Sequence, residues 1–366
     1  MVVDIPYETT CNLYKYRMKP LSERITGRVK SSEDLRLDQT LRPQDFSEFV
    51  GQLQTVNNLK IYIRAAKERR EALDHILFTG LPGLGKTTLA YLMAKMNGVN
   101  IVSTSGPAME RPADLVGILT NLKEQEILFI DEIHRLSNVV EEYLYSAMED
   151  FSINIMLDAG PHARSMKINL PHFTLIGATT REGLLTDPFR ARFGILEKLE
   201  LYPPEDLFQI IKRSARLLNV HTEEDSARLM AGRSRGTPRI ANRLLKRIRD
   251  LAQVKSNNRI TPKIAEEGLA MLGIDHAGLD NTDRKILKTL YDNGGGPVGL
   301  KTIAISVGEE EDTIEEVYEP FLVQCCFLEK TARGRKITPA GCEHLKKSSP
   351  TGLTPSEKLS QQNKLF

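Results

Sequence analysis

The nine residues Gly80-Leu81-Pro82-Gly83-Leu84-Gly85-Lys86-Thr87-Thr88 constrain this chain more than any others. They fit the pattern G-x-x-x-x-G-K-[ST], with an apolar run, His75–Thr79, before them and a helix-like run, Thr87–Asn97, after. Strand, glycine-rich loop and helix in that order make a phosphate-binding loop rather than an ordinary turn. Glycines such as Gly83 and Gly85 let the backbone wrap around phosphates and present its N–H groups from a helix N-terminus. Lys86 is then placed to reach the β- and γ-phosphates of a nucleotide, and the Thr87 hydroxyl to ligate Mg²⁺.

The flanking pattern agrees with such a loop. Residues 1–40 are polar without sustained periodicity and read as an N-terminal extension or mobile arm. Residues 41–201 alternate helical stretches with strand-like runs at Ile76–Thr79, Ile101–Thr104, Ile127–Ile130, Thr174–Gly177 and Leu196–Leu201. That alternation predicts an α/β domain with a mostly parallel sheet covered by helices. Ala159-Gly160-Pro161 splits Ile153–Leu170 into two arms, a hairpin inserted in the domain. Residues 202–276 carry helical periodicity at Asp206–Leu218, Glu224–Arg233, Pro238–Val254 and Thr261–Leu272, and predict a small all-α domain without strong strand signals. Residues 277–345 read as three helices and a two-stranded wing around the turn Ala332-Arg333-Gly334, a winged-helix module. Residues 346–366 are polar and read as a disordered tail.

Further motifs supply hydrolysis. Ile127-Leu128-Phe129-Ile130-Asp131-Glu132 is a buried strand ending in two acids, and open α/β sheets bind ligands at the carboxyl ends of strands. Asp131 is expected to hold Mg²⁺ through its water and Glu132 to polarise the attacking water. Leu175–Arg181 is another strand ending in hydroxyls, one of which can orient that water or sense the γ-phosphate. In Phe189-Arg190-Ala191-Arg192-Phe193-Gly194, either arginine can serve as a finger on a neighbouring subunit's ATP. Arg239 opens a helix of the α-domain, where an arginine can couple lid angle to hydrolysis. The run that follows, Arg243, Lys246, Arg247 and Arg249, reads as a solvated helix face.

The formal net charge of +2 favours no polyanion in bulk, so any nucleic-acid site must be a local cluster. Lys330, Arg333, Arg335 and Lys336 form one in the wing, without an aromatic stacking platform. It suits phosphate contact rather than base readout. The acids Glu309–Asp312, Glu315, Glu316 and Glu319 are expected to face away from it. Cys11, Cys325, Cys326 and Cys342 form no CxxC pair, which argues against zinc and disulfides and for a reducing cytoplasm. No run of about 18 apolar residues is present to span a membrane, and Met1–Thr10 lacks a signal-peptide pattern.

Longer motifs carry a family resemblance. Leu41-Arg42-Pro43 with Phe49-Val50-Gly51-Gln52, LFIDEIHRL at Leu128–Leu136, TLIGATTR at Thr174–Arg181, Arg192-Phe193-Gly194-Ile195 and RGTPRIANRLL at Arg235–Leu245 resemble the RuvB family, the bacterial AAA+ motors of Holliday-junction branch migration, from Leu41 to Leu345. The resemblance implies an AAA+ P-loop ATPase domain, a small all-α lid and a C-terminal winged-helix domain, acting with ATP and Mg²⁺. It matches Gly83, Lys86, Thr87 and Thr88 to phosphate and Mg²⁺ contacts, Leu41 and Arg42 to an adenosine-contacting segment, and Glu149, Asp150 and Phe151 to a backbone stretch counted with the nucleotide site. Asp131 and Glu132 match Walker B, Thr180 matches sensor 1, Arg239 sensor 2, and Tyr202 the nucleotide-contacting hinge. Arg192 matches the trans-acting finger better than Arg190. The hairpin around Ile153–Arg164 resembles the element that docks a RuvA-type partner, and the wing with Lys330, Arg333 and Arg335 resembles a DNA-contacting one. Implied partners are duplex and four-way junction DNA, a RuvC-type resolvase and five further copies in a hexameric ring. The chain departs from the family at Leu81, Lys330, Ala332 and Cys325-Cys326. Two other function classes stand beside the motor: a clamp-loader-like assembly switch, against which the winged-helix end argues, and a nucleotide-regulated transcription factor in which the winged helix reads a base sequence.

Overall fold

The computed structural model describes residues 40–156 and 165–348. The N-terminal extension, the hairpin turn at 157–164 and most of the expected tail lie outside the described residues.

Helix α1 (Leu53–Arg69) leads to β1 (Ile76–Thr79), the P-loop and α2 (Lys86–Asn97). There follow β2 (Ile101–Ser105), α3 (Pro112–Leu119), β3 (Ile127–Asp131), α4 (Asn138–Glu149), the arms β4 (Ser152–Met156) and β5 (Ser165–Asn169), β6 (Thr174–Thr179), α5 (Asp187–Arg190) and β7 (Ile195–Lys198). Five strands form one parallel sheet in the order β2-β3-β6-β1-β7, while β4 and β5 pair antiparallel as the inserted hairpin. The central strands read as unbroken apolar runs because both faces are covered. Side chains alternate between two cores: Ile76, Phe78, Ile127, Phe129 and Ile176 enter one, and Leu77, Leu128, Ile130 and Leu175 enter the other.

The strand order builds the site. β1, β6 and β3 are neighbours, so the P-loop after β1, Thr180 after β6 and Asp131-Glu132 at the end of β3 meet at the carboxyl end of the sheet.

The helical domain comprises α6 (Pro204–Leu217), α7 (Glu224–Gly232), α8 (Pro238–Lys255) and α9 (Pro262–Met271). Proline occupies an early position of α6, α8 and α9, where its missing N–H would have no helical partner. The structure adds a short parallel pair, β8 (His221–Thr222) with β9 (Arg259–Ile260), that the sequence reading does not contain. Two residues per strand are too few for a periodicity signal. The solvated-face reading of α8 is also corrected: Arg243 and Lys246 are only 9% and 7% exposed.

The last domain holds α10 (Asn281–Asp292), α11 (Leu300–Val307), a third helical stretch made of α12 (Glu311–Thr313), a wide turn at Ile314–Tyr318 and α13 (Glu319–Gln324), and the wing strands β10 (Leu328–Thr331) and β11 (Gly334–Ile337). Asp280 caps α10 by accepting from the backbone N–H groups of Thr282 and Asp283 at 2.8 and 3.0 Å, and Asp283 accepts in return from Asp280 N. A final helix, α14 (Pro339–Ser348), runs past the boundary expected for the tail, with Cys342 and Leu345 packed against the domain core.

Candidate active site

A cleft of about 240 Å³ opens between the carboxyl end of the sheet and the helical domain. Leu41, Arg42, Gly83, Gly85, Lys86, Thr87, Thr88, Asp131, Glu132, Thr180, Tyr202 and Arg239 all line it. Gly83 (φ +85°) and Gly85 (φ +110°) hold backbone conformations that side chains disfavour. A Cβ on Gly83 would stand 2.8 Å from Cβ of Arg239, so the P-loop and the start of α8 touch through this glycine.

Lys86 Nζ donates to the carbonyls of Gly80 and Leu81 at 2.6 and 3.0 Å. Burial pushes its pKa down to about 8, against the opposing pull of Glu132 and Asp131. Burial also raises the Asp131 pKa, and the Glu132 charge adds to the rise. A cation beside Asp131 would favour its ionised form.

Glu132 sits at φ 50° and ψ 48°, a left-handed turn that ends β3 and swings the side chain across to the neighbouring strand. The Thr180 hydroxyl donates to Glu132 Oε2 at 3.3 Å, and His134 Nδ1 lies 3.4 Å from the same oxygen. His134 Nδ1 is also 2.9 Å from the Thr179 hydroxyl. Thr179 is thereby turned inward while Thr180 faces the cleft.

Tyr202 fastens the hinge at both ends. Its hydroxyl donates to the P-loop carbonyl of Leu84 at 3.0 Å, and its N–H donates to Gly236 O at 2.9 Å. Burial raises its pKa, so the phenol stays a donor.

The sequence reading missed Arg213 on α6. Its Nη1 donates to Leu41 O at 2.8 Å, and its Nη2 reaches Arg42 O at 3.5 Å and Glu48 Oε2 at 2.5 Å. Glu48 in turn accepts from Gln44 N at 2.9 Å. A side chain of the helical domain thus holds the 41–48 segment by its backbone. Arg213 and Leu41 are 172 positions apart, and no local pattern marks the pair.

Glu149, Asp150, Phe151 and Arg192 are absent from this cleft's lining. Arg192 Nη2 pairs with Glu149 Oε2 at 3.0 Å, its Nη1 donates to Pro188 O at 2.7 Å, and its guanidinium lies 4.5 Å from the Tyr145 ring centroid. With Phe151 it lines a separate hollow of about 520 Å³. Arg190 is tied locally to Asp187 at 2.7 Å.

The wing differs from expectation. Arg333 is exposed, but Lys330 Nζ lies 3.1 Å from Glu315 Oε1 and 3.0 Å from Glu319 Oε2, and Arg335 Nε lies 2.5 Å from Glu319 Oε1. Of the acids expected to face away from the wing, Glu315 and Glu319 are corrected to neighbours of it, because the third helical stretch packs against the wing.

These three units in this order match known families. Residues 41–199 match the family profile described as the Holliday junction DNA helicase RuvB P-loop domain, residues 202–275 the RuvB AAA lid domain, and residues 276–346 the RuvB C-terminal winged helix domain. The chain belongs to the RuvB family. The Holliday junction branch migration complex subunit RuvB of Myxococcus xanthus is 59% identical over 319 residues, 87% of this chain and 93% of that protein. Its counterpart from Christiangramia forsetii is 56% identical over 321 residues, 87% of this chain and 94% of that protein. A solved structure of the Thermotoga maritima RuvB Holliday junction branch migration motor shares 48% identity and a TM-score of 0.78, covering 85% of this chain and all (100%) of that one. RuvB membership makes the P-loop cleft an ATPase site and the helical domain an AAA lid, and it decides between the function classes left open by the P-loop in favour of a motor. Among the described residues, no helix is long and apolar enough to cross a membrane.

Proposed function

We propose that this RuvB-family ATPase drives Holliday-junction branch migration by hydrolysing ATP at a composite site, with most groups from one chain and a finger from a neighbour. The observation that carries this reading is the division of residues: Lys86, Asp131, Glu132, Thr180 and Arg239 line one cleft, whereas Arg192 stands outside it. Within the cleft, Lys86 and the P-loop N–H groups bind the phosphates, and Leu41, Arg42 and Tyr202 hold the adenosine end. Glu132, steadied by Thr180, takes the proton of the attacking water, and Arg239 reports the γ-phosphate to the lid. Thr87 and Asp131 would hold Mg²⁺, which supplies charge neutralisation on the β- and γ-oxygens when bound. Among the described residues no group of three His, Cys, Asp or Glu side chains is arranged to hold a metal ion by itself, and Mg²⁺ is commonly held by one or two carboxylates with substrate phosphates.

Glu149, Asp150, Phe151 and Arg192 then serve the nucleotide of the adjacent subunit in a homo-hexameric ring. The inserted hairpin, whose arms are β4 and β5, docks a RuvA-type protein, and the wing with Lys330, Arg333 and Arg335 grips duplex DNA at the junction. A RuvC-type resolvase completes the assembly, in the cytoplasm. The direct test is ATP-dependent migration of a synthetic four-way junction with a RuvA-type partner; no movement with ATP turnover intact would refute the reading. Mixing Arg192→Ala with Lys86→Ala subunits restores hydrolysis that neither variant shows alone, because each supplies what the other lacks. Absence of rescue at every mixing ratio removes the trans assignment.

Arg213 gives a second check. Arg213→Ala raises the KM for ATP by about 10- to 100-fold, the equivalent of one charge-assisted hydrogen-bond set worth roughly 1.5–3 kcal/mol. Saturated turnover changes little, because Arg213 touches the 41–48 segment and not the P-loop. Steady-state ATP titration with a parallel ADP-binding isotherm separates the two parameters.

A further inference from the structure

Arg181 follows Thr180 directly and turns away from the cleft towards the winged-helix domain. Its Nε lies 2.9 Å from Glu316 Oε1, and its Nη2 lies 3.0 Å from Asp312 Oδ1 and 3.4 Å from Glu315 Oε2. Glu315 presents its other oxygen, Oε1, to the wing, 3.1 Å from Lys330 Nζ and 3.5 Å from Arg335 Nη2. One carboxylate is thus divided between the neighbour of a cleft-lining hydroxyl and two wing cations.

We propose that Arg181 is a positioning residue that sets, according to the state of the nucleotide cleft, how much of the wing's positive charge is free to meet DNA phosphate. The proposal rests on the reading of the wing as a DNA contact. Two unequal fastenings support it. The first joins the winged-helix domain to the lid: Arg235, from the turn before α8, is buried against Asp280, Asp283 and the carbonyl of Gly278, with its guanidinium 4.8 Å from the Phe321 ring centroid. The second joins the winged-helix domain to the ATPase domain through Arg181, 24% exposed, with Asp312 and Glu315 at 61% and 39% and Glu316 at 5%. Solvent screens the Asp312 and Glu315 contacts of the second, leaving only Glu316 buried, and screens none of the first. A change in lid angle therefore carries the winged helix along and opens the Arg181 contact first. Thr180 ties the same contact to the cleft side, since its hydroxyl is held by Glu132 and its peptide leads directly to Arg181. Once released, Glu315 turns wholly onto Lys330 and Arg335 and weakens their hold on DNA.

The test measures duplex binding against salt for the full chain, with ADP and with a non-hydrolysable ATP analogue. Exposed ion pairs of this kind shift an equilibrium by up to about fivefold, so the wild type should show a difference of about threefold between the two nucleotides. Arg181→Gln abolishes that difference and weakens DNA binding, and Arg181→Lys restores part of it. Glu315→Gln tightens binding in both states and steepens the salt slope by about one, as expected for one further cation engaging phosphate. The double variant binds like Glu315→Gln, because Arg181 acts through that carboxylate. Basal ATP turnover without DNA is unchanged in the Glu315→Gln protein, which keeps Glu316 and Asp312 on Arg181 and Glu319 on Lys330 and Arg335. The proposal is overturned if Glu315→Gln leaves affinity and salt slope unaltered, if nucleotide dependence is absent from the wild type or survives in Arg181→Gln, or if the double variant binds like Arg181→Gln. A wild type that binds ATP but no duplex overturns the wing reading itself, a distinct result.

Discussion

Glu132→Gln protein binds ATP as tightly as the wild type and hydrolyses it about 10²- to 10⁴-fold more slowly, the span expected for loss of a general base. The geometry makes this substitution informative. Glutamine keeps an oxygen for the Thr180 hydroxyl, now at 3.3 Å, and fits the same left-handed turn, so the cleft retains its shape. What disappears is a basic oxygen and a negative charge. Loss of that charge lets the Asp131 pKa fall and leaves Lys86 with one fewer neighbour favouring its protonated form. Asp131 then stays ionised to lower pH, and Lys86 loses its proton at a lower pH than in the wild type. Binding should therefore weaken on the alkaline side earlier in the variant while remaining normal near neutrality. Single-turnover hydrolysis and an equilibrium ATP isotherm, both across pH, resolve these effects. Wild-type turnover in the variant would remove Glu132 from the role of base.

Arg235→Ala destabilises the protein by roughly 3–5 kcal/mol, the cost of leaving a buried charge without its partner. Arg235 and Asp283 are 4% and 0% exposed, and Asp280 beside them is 4%. Burial works against all three charges, yet the two carboxylates together hold the Arg235 pKa above its ordinary value. Alanine removes the guanidinium from both carboxylates, which keep the backbone N–H groups of the α10 cap. The consequence is local before it is global: the winged helix should detach from the lid, with protease cleavage rising around residues 273–280. Junction migration should fall further than basal ATP hydrolysis, because the cleft does not contain Arg235. Denaturant unfolding with limited proteolysis checks this. A variant with wild-type stability and cleavage pattern would show that the fastening lies elsewhere.

Much of the cleft was legible because its chemistry is local. A glycine-rich loop between a strand and a helix needs particular backbone angles within a few residues, and Gly83 and Gly85 meet that need. The buried strands announce themselves because both faces are covered, so apolar residues run unbroken through Ile127–Ile130. The wing was half legible. Its cations stand out in sequence, but nothing local says that Glu319, only 2% exposed, sits against Lys330 and Arg335. The helix α14 was missed because its apolar residues are few and polar ones dominate its end.

Residue types and short spacings by themselves determined the P-loop, the acid pair at the end of β3, the order of the three domains and the family. Those features depend on backbone geometry and periodicity within one element. Only the tertiary structure decided which side chains share a charge: Arg213 with the 41–48 segment, Arg235 with Asp280 and Asp283, and Arg181 and the wing with Glu315. Those pairs join elements brought together by packing, and Coulomb attraction depends on distance in space rather than separation along the chain.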